Sequence, residues 1–273
     1  MTAVLEPATG LPMALSSTAA RVDSLVGTRE PVDLRTLEER APLLTRVDRK
    51  YVVPVALLEH LVEQLDEGWT ALEVGGRRLF GYTSTYFDTA DLLTYRAHVQ
   101  RRRRRFKVRV RRYADSDDCM LEVKRKAFRG LTVKERRPHA TEGQDELGRE
   151  GHAFVLDSLR GHAEPPRTPM SPVVVTSNRR ATIACLADRT RLTVDTDLSC
   201  GWGPAHTALR PGYVVLESKV GGHGSTVDRL LRSLGERPVP ISKYCLGVAS
   251  LGLDLPTNPW RRTMHRFFDT TTS

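Results

Sequence analysis

The chain reads as an α+β protein: an antiparallel β-barrel tunnel with peripheral helices. Three observations predict this. Many short segments alternate apolar and polar residues, which marks half-buried strands. Three consecutive strands each place two or three basic residues on one face. Unpaired charge is too costly to bury in an ordinary core, so those faces must enclose water or an anion.

The stretch from Gln100 to Tyr113, QRRRRRFKVRVRRY, carries nine Lys or Arg residues. In its second half Lys107, Arg109 and Arg111 fall on one side of a strand, and Phe106, Val108 and Val110 on the other. Taken alone this fits a solvated edge strand, a nucleic-acid surface or a pocket for a polyanion such as a triphosphate. The acidic turn Asp115 to Asp118 predicts a hairpin, with Cys119 to Lys126 as the return strand. Gly130 marks another turn, and Leu131 to Arg137 is a third strand with Thr132, Lys134 and Arg136 on one face. Like charges opposite each other on neighbouring strands repel, so an anion or interleaved carboxylates must offset them.

Before this block, Arg46 to Val53 is a strand ended by Pro54, with Asp48 and Lys50 on one face. Leu57 to Leu65 has helical spacing and stops at Gly68. Tyr82 to Phe87 is a strand, and Asp88 caps a helix over Ala90 to Val99. After it, residues 138 to 170 are polar with one helix around Ala153 to Leu159. Strands resume at Val173 to Thr176, Ala181 to Leu186, Arg191 to Asp195 and Tyr213 to Val220. A helix runs from Thr226 to Leu234, and Ile241 to Cys245 leads into Val248 to Leu251. Residues 1–40, with a weakly helical patch near Leu34 to Arg40, are expected to be a flexible tail. Residues 41–255 form the tunnel domain and 256–273 a second tail.

The 273 residues carry a formal net charge of +9, and the pI is near 9.7. This favours polyanionic partners. Cys119, Cys185, Cys200 and Cys245 show no CxxC spacing and read as reduced thiols, and no HxxxH pair points to zinc. No apolar run is long enough to cross a bilayer, and the N-terminus lacks the basic start and apolar core of a signal peptide. A cytoplasmic location is the expectation. The basic strands lack interleaved exposed aromatics for base stacking, which disfavours nucleic acid.

Seven segments in order resemble the VTC domain, the polyphosphate polymerase domain of the vacuolar transporter chaperone family. They are Arg46 to Tyr51, Tyr86 to Thr89 (YFDT), Lys107 to Tyr113, Leu121 to Lys124, Arg191 to Leu198 (RLTVDTDL), Val215 to Lys219 and Ser242 to Val248. The family belongs to the triphosphate tunnel metalloenzymes, of CYTH-like fold. The resemblance, over roughly residues 43–252, implies transfer of the γ-phosphate of ATP to a growing polyphosphate chain, with Mn²⁺ or Mg²⁺. It implies catalytic roles for Lys50, Arg109, Arg111, Lys124, Lys134, Arg179, Arg191 and Lys243. Ser242, Lys107 and Arg136 would bind substrate, and Glu217 would hold the metal. Several of these have structural alternatives: Arg109 and Arg111 on a solvated strand face, Lys50 paired across the barrel with the neighbours of Asp48, Glu217 in a salt bridge with Lys219, and Ser242 as a helix cap. Hydrolytic tunnel enzymes begin ExExK, whereas this chain has Arg46-x-Asp48-x-Lys50, which favours the polymerase branch. Ser177 and Pro240 depart from a tyrosine and a lysine of the polymerase pattern. The alternatives are a tunnel-type triphosphatase and a non-catalytic binding module. The oligomeric state is not legible.

Overall fold

The computed structural model describes residues 14–42, 47–126, 132–220 and 225–271. Arg46, Gly130 and Leu131 lie outside them. The chain opens with α1 (Ser17–Gly27), capped by Ser16, followed by β1 (Pro31–Val32) and α2 (Leu34–Arg40), capped by Asp33. Residues 17–40 are therefore built into the fold and do not form the expected flexible tail. Ala19, Val22 and Val26 repeat at helical spacing and are buried. Their stripe is short and set among Ser, Thr and Ala, so composition concealed it.

Next come β2 (Val47–Pro54), α3 (Val55–Glu63), β3 (Trp69–Leu72), β4 (Phe80–Asp88) and α4 (Leu93–Val99). The basic hairpin is β5 (Phe106–Tyr113) and β6 (Cys119–Lys126), extended by β7 (Thr132–Pro138) and backed by α5 (Gly148–Leu159). Then follow β8 (Ser171–Cys185), β9 (Thr190–Trp202), β10 (Ala205–Leu209), β11 (Tyr213–Val220), α6 (Thr226–Ser233) and α7 (Lys243–Ala249). The chain closes with α8 (Asn258–Phe267) and β12 (Phe268–Thr271). These last two elements replace the expected C-terminal tail. Trp260, Thr263 and Phe267 form the buried stripe of α8, and β12 pairs with β10.

The strands join in one sheet with the path β12-β10-β9-β8-β4-β5-β6-β7; β11 links β9 to β2, and β3 links β8 to β1. Every ladder is antiparallel except β1–β3. The sheet curls into a tunnel wall but does not close. Among the described residues β2 pairs only with β11, and β7 only with β6. Side chains span this seam: Lys124 on β6 lies 3.6 Å from Asp48 on β2, and Arg136 on β7 lies 3.9 Å from Glu38 on α2.

Of four apolar clusters among the described residues, the three largest hold most of the wall. Outward residues of β2, β8, β9 and β11 pack under α1, α3 and α6, including Tyr51, Val53, Ile183, Leu192, Val194 and Leu216. Phe106, Val108, Val110, Leu121 and Val123 pack under α5. At one end Val52, Tyr86, Val174, Leu198, Cys200 and Val215 meet α4, α7 and α8. β8 is one 15-residue strand where two were expected. The polar run Ser177-Asn178-Arg179-Arg180 interrupts the apolar signal without ending the ladder.

Candidate anion-binding site

The site follows from strand alternation. On β5 the apolar residues enter the core beneath α5, which turns Lys107, Arg109 and Arg111 inward. The adjoining faces of β6 and β7 supply Glu122, Lys124 and Lys134. Lys50 comes from β2, Glu217 and Lys219 from β11, Arg191 and Asp195 from β9, and Arg180 from β8. Ser242 and Lys243 enter from the start of α7. The resulting cavity, of about 280 Å³, is lined by ten Lys or Arg side chains against three carboxylates.

Each carboxylate is buried between cations. Glu122 accepts from Arg109 Nε at 2.7 Å and from Lys134 Nζ at 3.0 Å. Asp195 accepts from Arg180 Nε at 2.6 Å and Nη2 at 2.8 Å, and Lys243 Nζ lies 2.9 Å from its Oδ2. Glu217 lies 3.3 Å from Lys50 Nζ and 3.2 Å from Lys219 Nζ. Burial pushes the pKa of all three upward. The surrounding cations outweigh it and hold each below the ordinary carboxylate range.

Two cations, buried Arg111 and half-buried Lys107, face the cavity differently. Among the described residues no carboxylate pairs with Arg111 or Lys107. Arg111, 7% exposed, donates from Nε to Ser84 Oγ at 3.2 Å and lies 5.0 Å from the Tyr82 ring centre. Lys107 Nζ donates to Ser242 Oγ at 2.7 Å. Burial lowers the Lys107 pKa to about 8, assisted by Lys50 and Arg109. Burial also lowers Lys243 to about 7, with Arg180 and Arg111 reinforcing the shift against Asp195.

Exposure locates the mouth. The Lys124, Lys134 and Lys50 side chains are 36%, 35% and 31% exposed, and all flank the seam between β2 and β7. Helix α7 packs into the curl beside β8 and β9. A Cβ on Gly247 would collide with Val174 Cγ1, so the helix backbone lies directly on β8. Tyr244 OH donates to Asp88 Oδ2, and the same carboxylate accepts from the Thr94 amide at 2.9 Å and the Tyr95 amide at 3.0 Å. The helix starts at Leu93 with Leu92 at its N-cap, three residues later than expected, and Asp88 holds its first-turn amides from outside while also anchoring α7.

Lys50, Lys107, Arg109, Arg111, Lys124, Lys134, Arg191, Glu217, Ser242 and Lys243 are brought together. Arg179 and Arg136 are not. On β8 the residues facing the cavity are even-numbered, so Arg180 occupies the place expected for Arg179. Arg179 turns to the outer face, 3.5 Å from Asp197 and bonded to the Ala14 carbonyl. The pairing shift lies opposite, on β9, where Asp197 has φ +52°. Arg136 shares the inward face of β7, but on this edge strand its side chain leaves the cavity toward Glu38. Ser242 both caps α7, accepting from the Cys245 amide at 3.2 Å, and lines the cavity. Glu217 does pair with Lys219, the alternative its sequence allowed.

Sequence reasoning missed Glu122, Arg180, Asp195 and Lys219 as site residues. Alternation signals three of them: Glu122 shares a face with Lys124, Asp195 with Arg191, and Lys219 with Glu217. Among the described residues no three His, Cys, Asp or Glu side chains converge on a metal position. Glu217 offers one carboxylate. That suits Mg²⁺ or Mn²⁺ held mostly by phosphate oxygens, and does not suit an all-protein cage.

The chain is distantly similar to several solved structures. A candidate adenylyl cyclase from Hippeastrum, described as having a dominant triphosphatase activity, aligns at 15% identity and TM-score 0.43, over 78% of this chain and 98% of its own. A candidate adenylate cyclase from Vibrio parahaemolyticus aligns at 11% identity and TM-score 0.40, over 80% and 98%. The PH1012 protein of Pyrococcus horikoshii aligns at 14% identity and TM-score 0.42, over 74% and 99%. No curated protein matches. The family model of the VTC domain matches residues 45–252, most of the chain and every element that lines the cavity, and on that match the chain belongs to the VTC domain family.

Proposed function

We propose that the protein is a polyphosphate polymerase-type phosphotransferase that uses a nucleoside triphosphate such as ATP. One observation carries this reading. Arg111, buried, and Lys107, half-buried, have no carboxylate in ion-pair contact among the described residues, inside a cavity with a large cationic excess. Leaving an isolated charge buried costs several kcal/mol, on the order of 3–5, so an anion is the expected complement.

Phosphoryl transfer needs positioning and charge neutralisation more than covalent help. A terminal oxygen of the acceptor polyphosphate attacks the γ-phosphorus, a new P–O bond forms, the bond to the bridging β–γ oxygen breaks, and the nucleoside diphosphate leaves. Arg109 and Arg111 suit bidentate contact with phosphate oxygens; Lys107, Lys124, Lys134 and Lys243 supply point charges. Lys50 and Arg191 complete the enclosure, and Ser242 keeps Lys107 aimed inward. Glu217, which the family resemblance assigns to the metal, would hold Mn²⁺ or Mg²⁺, and the ion would neutralise charge on the phosphate oxygens. No Ser or Cys nucleophile is needed.

Incubation with ATP and Mn²⁺, followed by gel separation of the products, tests this. Metal-dependent long-chain polyphosphate is the expected product. Free phosphate without polymer would replace this reading with a tunnel-type triphosphatase, and the absence of turnover with retained anion binding would leave a binding module.

A further inference from the structure

The arginines before β5 have no role in the cavity, yet they do not form a loose tail. Residues 101–104 are exposed and 105 is half-buried. The Arg102 amide bonds to the Ala97 carbonyl at 2.9 Å, and Arg101 adopts φ +53°. Arg105 Nη1 turns back onto the Arg102 carbonyl at 2.6 Å. The backbone is thereby folded into a compact turn that presents four consecutive exposed arginines. Among the described residues none of Arg101–Arg104 pairs with a carboxylate; Arg102 Nε bonds only to the Gln100 side-chain oxygen, at 2.7 Å. Such clustering of like charge is unfavourable unless a polyanion offsets it.

The turn is also continuous with the cavity mouth. The Arg105 carbonyl accepts from the Lys126 amide at 2.9 Å. One rung further along, Lys107, Lys124 and Lys134 lie side by side across β5, β6 and β7. Two strand residues span only about 7 Å. Cationic side chains therefore run without a break from the exposed lysines at the seam to the arginine turn. A cavity of about 280 Å³ holds only the end of a long anionic chain, and the remainder must lie outside it.

We propose that the Arg101–Arg105 turn is a second polyanion-binding surface, which holds the protruding part of a polyphosphate chain while its end occupies the cavity. This rests on the polyphosphate reading above. The contacts are to successive phosphates along the chain, so the surface adds affinity for long chains and none for a triphosphate.

The test uses the full chain with Arg101, Arg102, Arg103 and Arg104 all replaced by Ser; Arg105 is kept because it holds the turn. Binding of inorganic tripolyphosphate and of long-chain polyphosphate is measured across a salt series. Tripolyphosphate affinity should change less than twofold. Long-chain affinity should fall, and its log–log salt slope should drop by about 3, for four contacts at about 0.7 each as for flexible single strands. Replacement of the four arginines by Lys should restore the slope. An unchanged long-chain slope in the Ser variant overturns the proposal. So does a larger loss for single-stranded DNA, or for phosphatidylserine vesicles, than for polyphosphate. The measurement needs no turnover, so a protein that makes no polymer would sink the polymerase reading and leave this result standing or falling by itself.

Discussion

Arg109 and Arg111 stand two residues apart on one strand face, yet the consequences of removing them differ. Arg109 is committed to Glu122, which is 1% exposed. Replacing Arg109 by Ala leaves Lys134 as that carboxylate's one close partner and should destabilise the fold by about 3–5 kcal/mol. Arg111 has no carboxylate in ion-pair contact among the described residues, only a longer-range attraction to Glu122, so Arg111→Met removes a cation whose burial is not fully compensated. Its stability should hold or rise, while turnover falls about 100- to 1000-fold, the range for losing one preorganised charge contact. Denaturant melts alongside steady-state rates separate the two. Equal destabilisation by both changes would refute the distinction. Lys107, Arg109 and Arg111 were legible from alternation, but which of them was already paired was not. Pairing depends on Glu122 arriving opposite Arg109 from another strand.

At the scale of elements, α7 decides whether the cavity has a floor. It carries Ser242 and Lys243, and its position depends on Gly247 lying against β8 and on Tyr244 reaching Asp88. Gly247→Val should overpack this contact and cost about 1–3 kcal/mol. Tyr244→Phe keeps the ring but drops the hydrogen bond to a fully buried carboxylate, a loss of about 1.5–3 kcal/mol. It should lower tripolyphosphate affinity without reproducing the effect of Lys243→Ala, because Lys243 remains present but less well held. If Tyr244→Phe melts and binds like the native chain, α7 is not anchored through Asp88. The YFDT segment was visible in the sequence as a strand running into a helix cap. Its second task, across a separation of more than 150 residues, was not. The same blindness hid α1 and α8, whose apolar stripes acquire meaning only against the strands they cover.

The whole molecule should gain stability with rising pH in two separate windows. Glu122, Asp195 and Glu217 are held below their ordinary values, so their stabilising contribution is present above pH 4–5 and is lost as the carboxylates protonate on acidification. Acid should therefore unfold the protein steeply, since protonation also leaves the cavity cations uncompensated. Lys243, lowered to about 7, acts in the same direction at higher pH: its charge is costly in the folded state, and stability rises with pH from about 7 toward the ordinary lysine value. Anion binding needs the charged form, so tripolyphosphate should bind with proton uptake near pH 8. Calorimetry in two buffers of different ionisation enthalpy measures that uptake. Lys107, lowered to about 8, titrates in the same range, so zero uptake would mean that both lysines are already fully charged in the free protein.

Alternation along each strand is a local property, set by the two-residue period of extended backbone, and it determined the antiparallel strands, the cationic inner face and most of the residues around the cavity. The order of seven segments carried the family. Tertiary structure alone decided what depends on distant partners. Arg180 took the place expected for Arg179, because facing residues on β8 are phased by the core beneath α1 and α3. Arg136 turned away because β7 is an edge with Glu38 beyond it. The curl stayed open between β2 and β7, where side-chain ion pairs and not a ladder meet. The arginine run, its charge plain in the sequence, acquired a direction only once the fold laid it beside the mouth of the cavity.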